Sequence, residues 1–347
     1  MKHKPREASN RLLEIVLDLA AVKGHIGLFP HERFDADAIG AAVSLSRAFR
    51  SLGCRTTVLT DEQVPPSLLE LPGLEDIVVH DSDRECPVFD FAIAVDCHEP
   101  HRLGRRGDCF LKTPLRGAID HHVQQVEPSD LEYIDTGASS SCELVFEMIW
   151  DLELHHACPF FDHTIAILLL AGTITDTGRY SYSNTTPLCL RQAAFLLERF
   201  EVDLAELHYN LYERTTINRL QIKGDIFSTI TSVAEGRILL AHVTQAMLMR
   251  RQAPDDDLSN LASEIRASED IDVVFLFIET QDGSIRVSIR SNSCFDSAEF
   301  AAIFGGGGHV KAAGMAISDL SIEQAMETVA REAEAYLNRC SGRGKTG

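Results

Sequence analysis

The chain has no cysteine pair in a C-x-x-C spacing, and its nine cysteines are an odd number. Neither a disulfide framework nor a zinc knuckle is expected, and a reducing cytosol fits best. Long apolar runs are also missing. Residues 164–175 are uncharged and largely apolar but fall well short of the ~20 residues that span a bilayer. The start, Met1-Lys2-His3-Lys4-Pro5-Arg6-Glu7, is charged and carries no secretory h-region. The expectation is a soluble, cytoplasmic protein with no membrane partner. Positive charge is scarce: 32 Lys and Arg stand against 52 Asp and Glu, for a net charge of −20. A long nucleic acid needs a basic track to displace its counterions, so it is a poor first guess for partner. One basic stretch exists between His101 and Arg116: Arg102, Arg105, Arg106, Lys112 and Arg116 against Asp108 alone. It reads first as a solvated loop and second as a surface for a small anion. No internal repeat is found.

What is present is enough chain for two domains: 347 residues, 45% of them apolar. The first half alternates helix-like and strand-like segments. Residues 10–23, 36–52, 139–152 and 160–175 have helical spacing, and Gly53 stops the second. Residues 26–30, 55–60, 77–80, 91–96 and 116–120 read as strands. The last two are apolar on successive residues, as in strands covered on both faces. This pattern predicts an α/β domain with a mainly parallel sheet. Residues 187–200 and 203–224 read as helices leaving it. A smaller C-terminal α/β domain follows, with strands at 226–233, 237–243, 271–279 and 284–291 and helices at 259–268 and 321–338. Gln281-Asp282-Gly283-Ser284 is a hairpin signal. The expected division is 1–200, a connecting helix 201–224, a second domain 225–340, and a disordered tail 341–347.

Chemistry-bearing residues sit in five segments: His31-x-x-x-Asp35-x-Asp37, Asp96, Asp120-His121-His122, Asp176, and Gly305–Gly308 followed by His309 and Lys311. Asp35 or Asp37 alone would read as a helix cap. Two carboxylates and a histidine crowded at one helix start are harder to explain that way. The small residues Ala38, Gly40, Ala41 and Ala42 would let that helix approach the sheet closely. Asp96 and Asp120 each end a strand and His31 follows one, so the set converges on the carboxyl edge of a parallel sheet, where ligands collect. Asp176 closes an apolar helix against its dipole, a placement that asks for a cation. The pair His155-His156 has no such context and reads as surface. Four carboxylates and two imidazoles can hold two divalent ions for a phosphoryl displacement. The glycine run, with Arg290 and Ser291 nearby, suits backbone amides closing on a phosphate.

Together these segments resemble the DHH phosphoesterase superfamily, named for Asp120-His121-His122, with Gly306–Gly314 resembling the motif of its DHH-associated domain. The two-domain layout and the Asp176–Tyr180 segment resemble the NrnA-type nano-RNases, which also hydrolyse 3′-phosphoadenosine 5′-phosphate (pAp). The resemblance implies that His31, Asp35 and Asp96 hold one metal and that Asp37, Asp96, His121 and Asp176 hold the other. It implies that His122 faces the scissile phosphate, that Asp120 orients the histidines, and that Arg290, Ser291, Gly306, Gly307, Gly308 and His309 bind substrate. Ligands without thiolate favour Mn²⁺, with Mg²⁺ as the alternative. The implied activity is hydrolysis of very short oligonucleotides to nucleoside 5′-monophosphates, together with pAp phosphatase activity. The alternatives are a cyclic or linear dinucleotide phosphodiesterase and a silent nucleotide-binding regulator. Oligomeric state stays open, a homodimer being one form.

Overall fold

The computed structural model describes residues 4–81, 85–123, 131–156, 158–253, 258, 260–292 and 295–343. The chain divides into two compact units, Met1–Arg214 and Thr215–Gly347.

The first unit is built on six parallel strands: β1 (His25–Pro30), β2 (Arg55–Thr60), β3 (Ile77–Val79), β4 (Phe91–Val95), β5 (Leu115–Asp120) and β6 (Glu132–Ile134). Their order is β3-β2-β1-β4-β5-β6. The last strand, three residues long, was not anticipated. Helices α1 (Lys4–Ala21), α2 (Ala36–Leu52), α3 (Gly107–Lys112), α4 (Ser141–His156), α5 (His163–Asp176), α6 (Pro187–Phe200) and α7 (Leu204–His208) complete it. The apolar residues of β4 divide by face: Phe91, Ile93 and Val95 join the core containing α2 and α5. Ala92 and Ala94 join a second core with Phe29, Phe89 and Phe110. A strand buried on both faces must be apolar throughout, which is what the sequence shows. Strand order reverses between β1 and β4, and the crevice beyond their carboxyl ends is where such sheets take ligands.

Asp35 caps α2 and Gly53 ends it at φ 109°. Helix α2 packs on strands of the sheet, and at Gly40 it meets helix α5. A Cβ on Gly40 would lie 2.6 Å from Leu168 O of α5, and one on Gly172 of α5 would lie 2.8 Å from Asp37 Oδ1 of α2. The basic stretch also differs from expectation. Arg106 is fully buried; it donates to the Leu59 carbonyl and lies 3.3 Å from Asp61 Oδ2. Arg116 Nη1 donates to the carbonyls of Leu111 and Thr113. Two of the cations thus tie the fold together. The expected absence of disulfides is corrected as well: Cys86 pairs with Cys109, Cα–Cα 5.2 Å. Twenty-three residues separate them in sequence, and only tertiary packing brings them together. His155 and His156 are exposed at the end of α4.

The second unit contains α8 (Ile217–Ser228), β7 (Thr231–Val233), β8 (Ile238–Val243), α9 (Gln245–Arg251), α10 (Asn260–Arg266), β9 (Val273–Glu279), β10 (Ile285–Ser291), α11 (Ser297–Ala302), β11 (Gly307–His309), β12 (Ala312–Ile317) and α12 (Ile322–Arg343). The sheet order is β11-β12-β10-β9-β8-β7, with only β8 and β9 parallel. The hairpin at Gly283 forms as expected, Thr280 N donating to Ser284 O at 2.9 Å. Residues 226–228, read as strand, are the end of α8. The last helix runs through Arg343, into the segment expected to be a tail; 344–347 lie outside the described residues. The glycine run, expected as a phosphate-binding loop, leads into the edge strand β11. Gly306 is required there because a Cβ would lie 2.3 Å from Gly314 O. Gly308 is required because its φ is 145° and a Cβ would meet Ala312 O at 2.6 Å.

Candidate active site

The residues at the carboxyl edge of the first sheet come together. His31, just after β1, has Nδ1 2.7 Å from its neighbour's carbonyl, Glu32 O. The Nδ1 proton is therefore donated to that carbonyl, and Nε2 lies 3.3 Å from Asp96 Oδ2: it donates to the carboxylate in the charged ring and offers a lone pair in the neutral one. Burial is the largest influence and opposes the charged form of His31, but the hydrogen bond and charge of Asp96, the Glu32 carbonyl and the Asp35 charge together outweigh it, and the pKa is raised. Asp35 Oδ1 accepts from the amides of Asp37 and Ala38, which leaves its other oxygen free. His31, Asp35 and Asp96 offer ligand atoms all within 4.8 Å of one another.

Asp37 is fully buried. Its two oxygens accept from Ser141 N (2.7 Å) and Cys142 N (2.9 Å), the first amides of α4. This helix start favours negative charge. Burial nonetheless pushes the Asp37 pKa well up, and the carboxylates of Asp96, Asp176 and Asp35 add to the rise. Asp37, His121 and Asp176 form a second group within 4.8 Å. His121 Nε2 lies 3.4 Å from Asp176 Oδ2, 3.6 Å from Asp96 Oδ1 and 3.9 Å from Asp37 Oδ2. It is buried and has no hydrogen-bond partner. Asp176, the last residue of α5, has its pKa raised to about 6 by burial, with Asp96 adding to it.

Asp96 sits between the two groups. Its φ is 59°, a left-handed conformation that aspartate tolerates better than most residues. Oδ1 accepts from Ser141 Oγ at 2.8 Å. Four carboxylates therefore converge with two imidazole lone pairs directed among them. Such a cluster repels itself until a cation enters. The orphaned His121 Nε2 and the all-oxygen-and-imidazole donor set fit divalent metal ions.

Asp120 lies beneath this cluster and is fully buried. One oxygen accepts from the amide and Nδ1 of His122 (3.1 and 2.7 Å); the other is 2.5 Å from His98 Nδ1. Burial would raise its pKa, but these hydrogen bonds win and hold it below the usual carboxylate range. In return the Asp120 hydrogen bond raises the pKa of His122. His122 is 44% exposed in its side chain, and with Nδ1 engaged its Nε2 is the atom left to act.

Sequence reasoning missed His98, Ser141 and Glu143. Glu143 Oε2 accepts from the amide and hydroxyl of Ser139. The run Ser139-Ser140-Ser141 before a helix was a capping signal that pointed to this support. Nothing in spacing pointed to His98.

In the second unit, Arg290 Nε donates to Ser263 Oγ at 3.1 Å and its Nη1 to Ile289 O at 2.9 Å. Burial lowers its pKa, and Arg266 lowers it further. Arg266, also missed, donates to Asn292 Oδ1, while its buried Nε has no partner. Two half-buried guanidinium groups held near each other fit an anion. His309 is exposed on β11. Ser291 does not fit the substrate role expected of it. It is fully buried, within hydrogen-bond reach of the carbonyls of Phe295 and Val310, and accepts from Ser297 Oγ.

Comparisons with known proteins follow the same division. The N-terminal domain of the DHH family matches residues 25–173, and the DHHA1 domain matches residues 239–339. A Thermus thermophilus protein named bifunctional oligoribonuclease and PAP phosphatase NrnA is 31% identical over 325 residues, 92% of this chain and 93% of that one. A Bacillus subtilis protein of the same name is 27% identical over 290 residues, covering 84% and 88%. The crystal structure of an exopolyphosphatase-related protein from Bacteroides fragilis superposes with TM-score 0.79 at 21% identity, covering 94% of this chain and 98% of that one. DHH phosphoesterases are metal-dependent hydrolases, and the converging carboxylates meet that requirement. With both domain matches in order and such similarity along nearly the whole length, the chain belongs to the DHH family.

Proposed function

We propose that this protein is a cytoplasmic phosphodiesterase that hydrolyses very short oligonucleotides to nucleoside 5′-monophosphates and also dephosphorylates pAp. The observation that carries the reading is the set of Asp37, Asp96 and Asp176 around the unpartnered Nε2 of His121, with Asp96 also grouped with His31 and Asp35. His31, Asp35 and Asp96 would hold one divalent ion, and Asp37, Asp96, His121 and Asp176 a second, with Asp96 shared. Manganese is favoured by the donor set, with magnesium the alternative. Ions bound there would neutralise the phosphate and supply a nucleophilic water of lowered pKa.

The remaining steps fall to the chain itself. Asp120 fixes the ring of His122 through Nδ1 and favours its charged form, in which Nε2 also holds a proton that can face the phosphate. There it can meet the negative charge that grows on the phosphoryl oxygens. Ser141 and the α4 amides hold Asp96 and Asp37 in place, which keeps the site preorganised. Arg290, Arg266 and His309 are the residues of the second unit that would receive a phosphate, with the backbone of Gly306, Gly307 and Gly308 beside them. The relatives' printed activities support the substrate class, and so does the net charge of −20, which gives a long strand little counterion release.

The test is turnover with Mn²⁺ on pAp, a dinucleotide, a cyclic dinucleotide and 5′-labelled RNA of graded length. Highest efficiency is expected on substrates of about two to five nucleotides, with a steep fall for strands of about twenty or more, as a site holding few phosphates predicts. Equal rates on the dimer and the long strand would sink the assignment. Preference for the cyclic dinucleotide would replace it.

A further inference from the structure

The loop after Asp176 holds an arrangement that the metal ligands and phosphate-binding residues do not use. Gly178, Arg179 and Tyr180 have successive φ values of 54°, 61° and 63°. Only glycine enters that region freely, so a run that includes Arg and Tyr persists because its surroundings enforce it. Such strain gathers at functional sites. Here the Arg179 amide donates to Ile174 O at 2.7 Å, and the amides of Ser181 and Tyr182 donate to Thr177 O. Asn184 Nδ2 pins the far side of the loop to the carbonyls of Ser139 and Asp176 at 2.9 and 3.1 Å. The loop is thus held rigidly against the residue that closes the carboxylate ring.

The reversal presents aromatic rings. Tyr182 packs on Gly178 so closely that a Cβ there would lie 2.4 Å from its Cζ. Yet Tyr182 is 63% exposed and makes no side-chain hydrogen bond among the described residues. Beside it, Arg179 Cζ lies 4.7 Å from the ring centroid of Tyr212. Tyr212 is anchored by its hydroxyl, which donates to Ile174 O at 3.2 Å. Anchoring the end of α5 accounts for Tyr212. It does not account for an exposed ring backed by bare glycine backbone, with an exposed guanidinium next to it.

We propose that Tyr182, with the Arg179–Tyr212 pair beside it, is a nucleobase-stacking subsite that receives the base next to the scissile phosphate. An aromatic ring backed on one side is the platform on which single-stranded bases stack, and every base has a π-face to offer. Arg179, oriented by Tyr212, adds a planar cation to the stack or to the adjoining phosphate. The subsite would therefore favour the presence of a base over its identity. This inference rests on the proposed nucleotide substrate.

Its test is calorimetric titration of the metal-loaded protein with adenosine 5′-monophosphate and with ribose 5-phosphate. The wild type should bind the nucleotide more tightly. Tyr182→Ala should weaken nucleotide binding about 5- to 150-fold, the range for losing one stacked base, and leave ribose 5-phosphate binding unchanged. Tyr182→Trp should restore the difference. Retained discrimination in Tyr182→Ala, or equal weakening for both ligands, overturns the subsite. Turnover of a dinucleotide is scored separately: its absence in a protein that still distinguishes the two ligands would remove the proposed activity and leave the base site standing.

Discussion

Replacing Asp96 by asparagine should change stability in opposite directions with and without metal. The fold should accept the change. Asparagine is at ease at φ 59°, its oxygen can accept from Ser141 Oγ, and its amide can donate to the His31 Nε2 lone pair. The loss is one negative charge in a crowded ring. Asp96 and Asp35 present oxygens within 4.8 Å of each other, worth about 3.5 kcal/mol of repulsion at an effective dielectric of 20. Asp35 is exposed, so screening brings the relief to about 1–2 kcal/mol. At about 2–4 °C per kcal/mol for a unit of this size, the metal-free variant should melt about 2–8 °C higher than metal-free wild type. With Mn²⁺ the order should reverse, because the shared carboxylate is missing. Metal content should fall by more than one equivalent, and turnover should drop by about a hundredfold or more, the scale of losing a preorganised electrostatic contact. Thermal unfolding with chelator and with Mn²⁺, metal analysis and a diesterase assay read all three. A folded variant that keeps two ions, or a metal-free variant less stable than wild type, would refute the reasoning.

Two further outcomes follow from the same charges. Asp176 has a folded pKa of about 6 against an ordinary 3.8, so between those values the folded state holds more protons than the unfolded one. Metal-free protein should therefore lose stability as pH rises from about 4 to above 6. Saturating Mn²⁺ should abolish that loss, and urea midpoints flat with pH in the chelated protein would contradict it. Arg290→Ala should raise KM for a dinucleotide roughly ten- to a hundredfold, the cost of one charge-assisted contact, with metal content unchanged. Unaltered kinetics would move the anion site away from Arg290 and Arg266.

The fold class and the reactive residue types were legible in the sequence because both are local. Successive apolar residues in 91–95 and 117–119, set between other strand-like and helix-like segments, fit strands covered on both faces, and an acid or histidine at the end of a parallel strand lies at the sheet's carboxyl edge whatever the partners are. Tertiary structure alone decided which of these groups meet. Ser141 reaches Asp96 across 45 residues and the Cys142 amide reaches Asp37 across 105, distances that no spacing rule spans. The small residues of α2 allow a close approach, but only the packed helices show that Gly40 meets α5. His98 and Arg266 carry no motif; one matters through a buried carboxylate beneath it, the other through a second guanidinium beside it. Ser291 and Arg106 were misjudged for the converse reason, since polar residue type does not reveal burial. The order of ligands is a property of the chain, whereas their convergence, and the repulsion that calls for a cation, exist only once strands distant in sequence lie side by side.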